Sequence, residues 1–345
     1  DKNFCTLYSL FMLALARKEL SACSCRLFIG EKPIPSQTIE DLSTEITEDE
    51  LKEAFVDGRG VKYSKDGRKL LKVPQELRRG YSVKEGTRII CNNAFAGCSS
   101  LPNIVIPDSV TAIGDYAFSH CLLLENISIP KSVICLNGNP FSDWGGMLEC
   151  LSPTFIYEDD VLFNKDKSEI VSFRNQKIES YIIPDSVTKI RDSAFSDCSS
   201  LSNIVIPNSV TAIGDFAFSG CSSLSNIVIP DSVTAIGDSA FSDCSSLSNI
   251  VIPNSVTAIG DGAFFGCSSL PKIVIPNSVT SIGDCAFSDC SSLPNIVIPD
   301  SVTSIGDCAF SGCSSLPNIV IPDSVTAIGD SAFSDCSSLS NIVIP

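Results

Sequence analysis

Cysteine, aspartate and serine recur at fixed positions along this chain and are the side chains with which it could perform chemistry. The chain has 17 cysteines but only one histidine, His120. A nucleophile needs a base and an orienting group that converge on it, and His120 stands where sister segments carry Asp or Gly. We therefore expect a structural histidine, no catalytic residues, no cofactor and no enzymatic activity.

Nine of the cysteines share one position of a repeated segment. Neighbouring copies in a parallel stack would lie about 4.8 Å apart, which allows a few disulfides, but a straight column of thiols does not converge on a metal ion. A third arrangement, small buried apolar side chains, is the one we favour. The column consists of Cys98, Cys121, Cys198, Cys221, Cys244, Cys267, Cys290, Cys313 and Cys336.

Two further cysteines, Cys285 and Cys308, lie one repeat apart at a position where other copies carry Ser, Gly, Phe or Tyr. This register makes them the most favourable single disulfide in the chain. Cys23 and Cys25 form a weak metal-binding motif. Because the number of cysteines is odd, a fully paired set of intramolecular disulfides is excluded.

An aspartate also recurs once per repeat. Like charges stacked one repeat apart repel each other, which could favour calcium, but the spacing matches neither the nonapeptide calcium repeat nor the EF-hand loop. We expect a solvated turn with ordinary pKa values and no bound metal. The column consists of Asp115, Asp192, Asp215, Asp238, Asp261, Asp284, Asp307 and Asp330.

Proline marks the period that places these columns. From Pro184 to Pro345 successive prolines are 23 residues apart, and a separate upstream series with the same step consists of Lys84, Pro107 and Pro130, which gives ten units in all. A fixed period of this length with regular apolar positions predicts a solenoid. The unbroken run is Pro184, Pro207, Pro230, Pro253, Pro276, Pro299, Pro322 and Pro345.

Each unit combines a strand pattern with a turn pattern. Leu201, Ile204 and Ile206 follow L-x-x-I-x-I, which predicts a strand that Pro207 ends, and the A-F pair at 217–218 predicts a short helical or 3-10 turn. One unit is too small to bury its apolar side chains, so neighbouring units must stack to cover them. The predicted core includes Phe95, Phe118, Phe141, Phe195, Phe218, Phe241, Phe264, Phe287, Phe310, Phe333, Leu201, Leu224, Leu247, Cys198, Cys221 and Cys244.

The unit at 201–223, LSNIVIPNSVTAIGDFAFSGCSS, resembles the BspA-like leucine-rich repeats, a subclass found on bacterial and protist cell surfaces. The resemblance covers about three quarters of the chain. It implies a leucine-rich-repeat solenoid with a parallel sheet on one face, and an adhesive or binding role rather than catalysis. The prediction is an α/β-type repeat solenoid of 23-residue coils with short helical or 3-10 turns on the other face.

One position departs from the commoner leucine-rich repeats. Where Asn often forms a hydrogen-bonded ladder, this chain carries serine. A ladder of hydroxyl groups could satisfy the same turn backbone. The serines are Ser186, Ser209, Ser232, Ser255, Ser278, Ser301 and Ser324.

Two segments outside the period resemble each other. VKYSKDGRKLL at 61–71 and VLFNKDKSEIV at 161–171 are offset by 100 residues, and Asp66-Gly67 indicates a hairpin turn. We interpret each as a hairpin that takes the place of one coil and starts a block of repeats. In the degenerate unit that ends the first block, Trp144 replaces the Cys and Met147 replaces the Leu.

The N-terminal region lies outside the array. FCTLYSLFMLALA at 4–16 is too short for a transmembrane helix and fits either the apolar part of a secretory signal or a buried or frayed helix. Thr47 and Glu50 form a capping box, which predicts a short amphipathic helix that shields the first coil. The chain stops at Pro345, the first residue of an eleventh unit, with no polar cap, so we interpret it as part of a longer protein.

These features predict six segments. They are a candidate leader at 1–30, a linker with a short capping helix at 31–60, a hairpin coil at 61–83, three repeats at 84–152, a hairpin insertion at 153–183 and seven repeats at 184–345.

The formal net charge of −16 makes nucleic acid and anionic membranes poor partners, because binding to either depends on Lys and Arg. Residues 184–345 contain 15 acidic residues against Lys189, Arg191 and Lys272. This block should attract basic partners and repel acidic ones.

The outer side of the predicted strands is the remaining candidate surface. It repeats Asn and Val, and identical copies favour weak, multivalent contacts. We predict that it binds proteins, such as extracellular-matrix or host surface proteins, at a cell surface or outside the cell. An intracellular scaffold and a structural spacer are the alternatives. The residues are Asn203, Val205, Asn226, Val228, Asn249, Val251, Asn295, Val297, Asn318, Val320, Asn341 and Val343.

Overall fold

The computed structural model describes residues 42–344, which belong to one of the two compact units into which the chain divides. The predicted leader and the Cys23–Cys25 motif lie outside the described residues. No helix within 42–344 is long and apolar enough to span a membrane. The described chain winds into stacked coils, and most coils contribute two short strands that pair in parallel with neighbouring coils.

In most coils one strand carries the sequence N-I-V or its equivalent, and we call this series the N-I-V ladder. Asn203 and Val205 are exposed while Ile204 is buried, because successive strand side chains point to opposite faces. Asn226 pairs with Asn249 of the next coil. The strands are Tyr81–Ser82, Ile104–Val105, Asn126–Ile129, Met147–Cys150, Ser180–Ile182, Asn203–Val205, Asn226–Val228, Asn249–Val251, Asn318–Val320 and Asn341–Val343.

A second series of strands lies beyond the proline corner, and we call it the A-I ladder. In the strand Ala258–Ile259 the alanine is exposed and the isoleucine is buried. The sequence pattern predicts only one sheet, because two-residue strands are too short to show a period of two. The strands are Phe55–Val56, Lys62–Tyr63, Lys69–Lys72, Ile89–Ile90, Ala112–Ile113, Cys135–Leu136, Phe155–Glu158, Val161–Asn164, Glu169–Phe173, Lys189–Ile190, Ala212–Ile213, Ala258–Ile259, Ser281–Ile282, Ser304–Ile305 and Ala327–Ile328.

The third side of each coil is a run of turns. The predicted helical or 3-10 turns, and with them the α/β class, are not confirmed, since residues 84–344 contain no helix. The reason lies in the backbone. Two positions per coil adopt positive φ, as at Ser239 (53°) and Asp243 (56°), and helices require negative φ at every residue.

The capping box at Thr47 and Glu50 is present, but the helix that it starts is Glu48–Lys52 and buries no residue. The prediction that this helix shields the first coil is therefore wrong. The residues beside it do so, because Leu42, Ile46 and Ala54 pack against a small apolar cluster on the outer face of the first A-I strands.

The two segments that are 100 residues apart fold alike. Residues 62–72 and 162–173 form antiparallel hairpins with the same register shift. The second strand of each hairpin then pairs in parallel with the first A-I strand of the block that follows. Each hairpin therefore occupies the place of one coil.

The apolar side chains form two main cores, one for each block. The second hairpin lies between them, since Leu162 and Val171 belong to the first core while Phe163 and Ile170 belong to the second. The block of three repeats and the block of seven repeats therefore share one hairpin.

The phenylalanine column runs through both cores. From Phe195 to Phe333 consecutive rings stack with centroids between 5.1 and 5.6 Å apart, and Phe333 is only partly buried. Leu201, Leu224 and Leu247 are also buried. Burial of one such side chain contributes roughly 1.5–3 kcal/mol, so the columns supply most of the attraction between coils.

The degenerate unit departs from the period in a way that the sequence pattern does not reveal. Met147 pairs with Asn126 and is 71% exposed, so the prediction that it replaces a core leucine is wrong. Leu148 is buried, and Trp144 fills the core with its indole N–H donating to the Leu124 carbonyl at 2.7 Å. Met147 pairs with a residue 21 rather than 23 positions before it, so the strand register shifts by two residues.

Candidate functional site

The outward side chains of the N-I-V ladder form two parallel columns, which we call the stripe. The aliphatic column of the second block is 45–70% exposed. Single exposed aliphatic residues are ordinary, but a continuous exposed apolar patch marks an interaction surface. The column consists of Ile182, Val205, Val228, Val251, Val274, Val297, Val320 and Val343.

The second column of the stripe consists mainly of asparagines, and two of them donate to a side chain of the coil before. Asn249 Nδ2 donates to Asn226 Oδ1 at 2.9 Å, and Asn203 Nδ2 donates to Ser180 Oγ at 3.2 Å. These bonds hold the amide groups along the axis of the stack. Lys272 occupies one position of this column and is exposed.

The N-I-V ladder is interrupted in part of the stripe. Asn295 and Val297 are exposed but lie outside any strand, contrary to the prediction. Pro294 precedes them, and Pro271 precedes the other coil that lacks this strand. In coils with serine at this position the backbone N–H donates to the coil before, as Ser248 does at 3.0 Å. Proline has no N–H and cannot make this bond. Its presence does not always remove the strand, since Ile104–Val105 follows Pro102 and Asn318–Val320 follows Pro317.

Carboxylates border the stripe at the proline corner. Asp185, Asp231, Asp300 and Asp323 are exposed, and each follows the proline that ends an N-I-V segment. Each stands three residues after an aliphatic member of the stripe, which is at most about 10 Å along the chain. A weakly polar stripe with an acidic border attracts partners that carry basic residues.

The aspartate column is a hydrogen-bonded ladder rather than a solvated turn. Asp215 Oδ1 accepts from the Asp238 N–H at 2.8 Å, and Asp238 Oδ1 accepts from the Asp261 N–H at 2.8 Å. Burial, together with the neighbouring Asp192 carboxylate, raises the pKa of Asp215 to about 6. The prediction of ordinary pKa values is therefore wrong at Asp215. Within residues 42–344 no group of three or more His, Cys, Asp or Glu side chains could hold a metal ion.

Five of the seven predicted serines form the hydroxyl ladder, whereas within residues 42–344 the hydroxyls of Ser209 and Ser324 have no hydrogen-bond partner. Ser232 Oγ donates to the Val210 carbonyl at 2.6 Å, and Ser255 Oγ donates to the Val233 carbonyl at 2.6 Å. The hydroxyl ladder therefore links the proline corners of successive coils.

The cysteine column is buried, and its thiols donate to the backbone of the preceding coil. Cys244 Sγ lies 3.2 Å from the Phe218 carbonyl, and Cys267 Sγ lies 3.2 Å from the Phe241 carbonyl. Burial raises the pKa of Cys198 to about 12. Thiols of this kind are poor nucleophiles because they remain protonated.

The predicted disulfide is not formed. Cys285 and Cys308 are free thiols, as are all 14 described cysteines. Burial and the neighbouring Cys308 raise the pKa of Cys285 to about 12. Both residues have a φ of 53°, in the left-handed region.

His120 has a structural environment. Its Nδ1 pairs with the Asp143 carboxylate, and this hydrogen bond raises the pKa of His120. The negative charge of Asp197 acts in the same direction. An exposed imidazole held by carboxylates is an ion pair on a turn, which is the role expected from the sequence.

Two members of the stripe, Ile182 and Val274, were not among the predicted residues. Ile182 stands two residues before Pro184, as Val205 stands two residues before Pro207. The position two residues before each proline therefore identifies the aliphatic column, whether or not an asparagine stands beside it in the sequence.

Comparisons with known proteins place these coils among leucine-rich repeats. The family model described as BspA type leucine rich repeat region matches residues 80–153, 169–293 and 258–345, in six copies. A leucine-rich repeat protein from Eubacterium ventriosum is 26% identical, with 75% of this chain and 82% of that chain covered and a TM-score of 0.60.

Two other solved structures are also similar. A leucine rich cell surface protein from Faecalibacterium prausnitzii is 30% identical, with 78% of this chain and 60% of that chain covered and a TM-score of 0.47. A leucine-rich repeat protein from Bacteroides ovatus is 26% identical, with 89% and 88% covered and a TM-score of 0.44. No curated protein matches the chain.

Proposed function

Because the chain belongs to the BspA type leucine-rich repeat family, we propose that it is a non-enzymatic, protein-binding solenoid that acts at a cell surface or outside the cell. The observation that carries this proposal is the stripe, whose aliphatic column is exposed along the whole second block. A continuous apolar column on a soluble surface is costly unless a partner covers it.

The chemistry of the stripe defines the partner. Copies of one small contact, spaced about 4.8 Å apart, give weak sites that gain avidity when a long partner engages several together. The acidic corner favours a partner with basic residues beside an apolar ridge. Extracellular-matrix or host surface proteins of this composition are the proposed ligands.

A second candidate is an intracellular scaffold that uses the same stripe. It is favoured by the 14 free cysteines, because thiols stay reduced in the cytosol. Titration of thiols in protein isolated without reductant separates the candidates. A disulfide between Cys285 and Cys308 supports the extracellular site of action, and two free thiols there support the intracellular one.

The stripe is tested by binding of the full chain to immobilised matrix proteins. The variant carries Val228→Lys and Val251→Lys on the stripe, and the matched control carries Thr234→Lys and Thr257→Lys on the exposed A-I face of the same coils. We expect the stripe variant to bind at least about tenfold more weakly, since each charge blocks an apolar contact, and the control to bind normally. Equal binding by both, with circular dichroism unchanged, contradicts the proposal.

A further inference from the structure

The first hairpin has a basic surface although the chain as a whole is negatively charged. Residues 57–88 contain ten basic and four acidic residues, a net charge of +6. The equivalent residues 157–188 of the second hairpin contain four basic and seven acidic residues, a net charge of −3. Both segments form the same hairpin, so the fold does not require the basic residues.

The two hairpins differ at four positions that are exposed and basic in the first hairpin. Four basic residues of the first hairpin are exposed, and none forms an ion pair within residues 42–344. Their counterparts 100 positions later are neutral or acidic. The pairs are Arg59 and Asp159, Arg78 and Ile178, Arg79 and Glu179, and Lys84 and Pro184.

Two of these cations line a groove. Arg59 and Lys84 line a depression of about 600 Å³ together with Gly80 and Tyr81. The Arg59 guanidinium donates to the Gly80 carbonyl at 2.7 Å. This bond holds Arg59 close to the backbone of Gly80, the residue that follows Arg79. Arg59 and Lys84 therefore share one opening, and Arg79 is the sequence neighbour of Gly80 at its edge.

The one carboxylate of the groove is already satisfied. Asp57 Oδ2 accepts from the Tyr81 hydroxyl at 2.7 Å, and its Oδ1 accepts from the N–H groups of Arg59 at 2.8 Å and Val61 at 3.0 Å. These hydrogen bonds hold the hairpin, and the Asp57 charge offsets only one of the basic residues. The first hairpin therefore keeps a net positive charge.

We propose that this groove binds a sulfated polysaccharide chain. Guanidinium groups form bidentate hydrogen bonds with sulfate oxygens, and a linear polyanion can reach several cations at once. Nucleic acid fits less well, because the Lys84 ammonium lies over the Phe55 ring at 4.1 Å, where a base would otherwise stack, and the neighbouring Tyr63 ring is buried. The acidic second block repels the polyanion and confines it to the hairpin.

The test measures binding of the full chain to fluorescent heparin, to desulfated heparin and to duplex DNA over a range of ionic strength. The variant carries Arg59→Gln, Arg79→Gln and Lys84→Gln. The control carries Lys52→Gln, Lys65→Gln and Arg68→Gln, which removes the same charge from residues already paired with carboxylates. We expect the groove variant to lose at least about tenfold in affinity and about two to three units of salt slope, and the control to lose little.

Three outcomes overturn the proposal. They are no binding to heparin, equal weakening by both triple variants, and binding to DNA or desulfated heparin as tight as binding to heparin. The stripe variant Val228→Lys with Val251→Lys should retain heparin binding, so that failure of the stripe as a protein-binding face and failure of the groove are distinguishable. Circular dichroism and thermal unfolding establish that each variant is folded.

Discussion

Three polar columns of the solenoid, those of aspartate, serine and cysteine, join a side chain in one coil to backbone atoms of its neighbour. Carboxylates accept from N–H groups, as Asp215 does, while hydroxyls and thiols donate to carbonyls, as Ser232 and Cys244 do. Each such bond contributes about 0.5–1.5 kcal/mol and repeats in successive coils. The aspartate ladder differs from the others because each of its bonds stacks one negative charge on another.

The repulsion between stacked carboxylates should make the stability of the fold depend on pH, and Asp215 is the residue at which this can be measured. Its pKa of about 6 in the folded state lies above the ordinary value of 3.8, so its proton stabilises the fold at pH values below 3.8 and this contribution is lost as the pH rises through 6. Asp215→Asn keeps an oxygen for the Asp238 N–H but carries no charge. We expect the variant to be more stable at pH 7 by about 1–2 kcal/mol, allowing for partial exposure.

The measurement is urea unfolding of the parent and the variant at pH 7 and at pH 4. The two stabilities should converge at pH 4, where the carboxyl of the parent is protonated. The control is Asp231→Asn at the exposed corner, where Asn208 and Asn254 occupy the equivalent position. A variant less stable than the parent at pH 7 would show that the charge is favourable in this ladder.

One turn position of the second block repeats every two coils rather than every coil. The residue before each column cysteine alternates between Asp and Gly through the second block, as at Asp243 and Gly266. A Cβ atom on Gly266 would lie 2.5 Å from Asp243 Oδ1, and one on Gly220 would lie 2.4 Å from Asp197 Oδ1. Each aspartate therefore fills the space that the glycine of the next coil leaves open, so the structural unit is a pair of coils.

Gly266→Ala tests this pairing. Gly266 has a φ of +68°, which costs alanine about 1 kcal/mol, and the contact with Asp243 adds to this cost. We expect a loss of about 2 kcal/mol or more in the free energy of unfolding. Thermal and urea unfolding provide the measurement.

The matched background for that variant is Asp243→Gly, which copies the residue found at Gly220. In this background Gly266→Ala should lose only the backbone part of the cost, since the carboxylate is absent. If the losses are equal in both backgrounds, the steric pairing of Asp with Gly does not account for the alternation.

The repeat and its period were predictable, because proline, phenylalanine and the L-x-x-I-x-I pattern each recur at a fixed step. The turns were not, because residues such as Phe216 adopt a positive φ of 55° that their own side chains disfavour. Nor was the exposure of Met147, which depends on how Trp144 fills the core. The stripe was predictable as an exposed face. The missing strand at Asn295 was not, because proline precedes both the paired and the unpaired segments of the ladder.

The whole described array contains two cores that meet at the second hairpin, and Arg174 secures the junction. Its Nη1 donates to the Phe141 carbonyl at 2.7 Å and its Nη2 to the Gly146 carbonyl at 3.1 Å. The guanidinium also lies over the Trp144 ring at 4.4 Å. Burial lowers the pKa of Arg174 to about 10, a desolvation cost that these contacts offset.

Arg174→Met should therefore loosen the first block from the second. The methionine retains apolar contact with Trp144 but leaves two carbonyls without their donor, which costs about 2–3 kcal/mol. We expect hydrogen exchange to accelerate in residues 84–152 while residues 184–344 remain protected, because each block has its own core. Lys177→Met, an exposed change in the same segment, is the control. Uniform acceleration along the whole array would mean that the two cores unfold as one cooperative unit despite the hairpin between them.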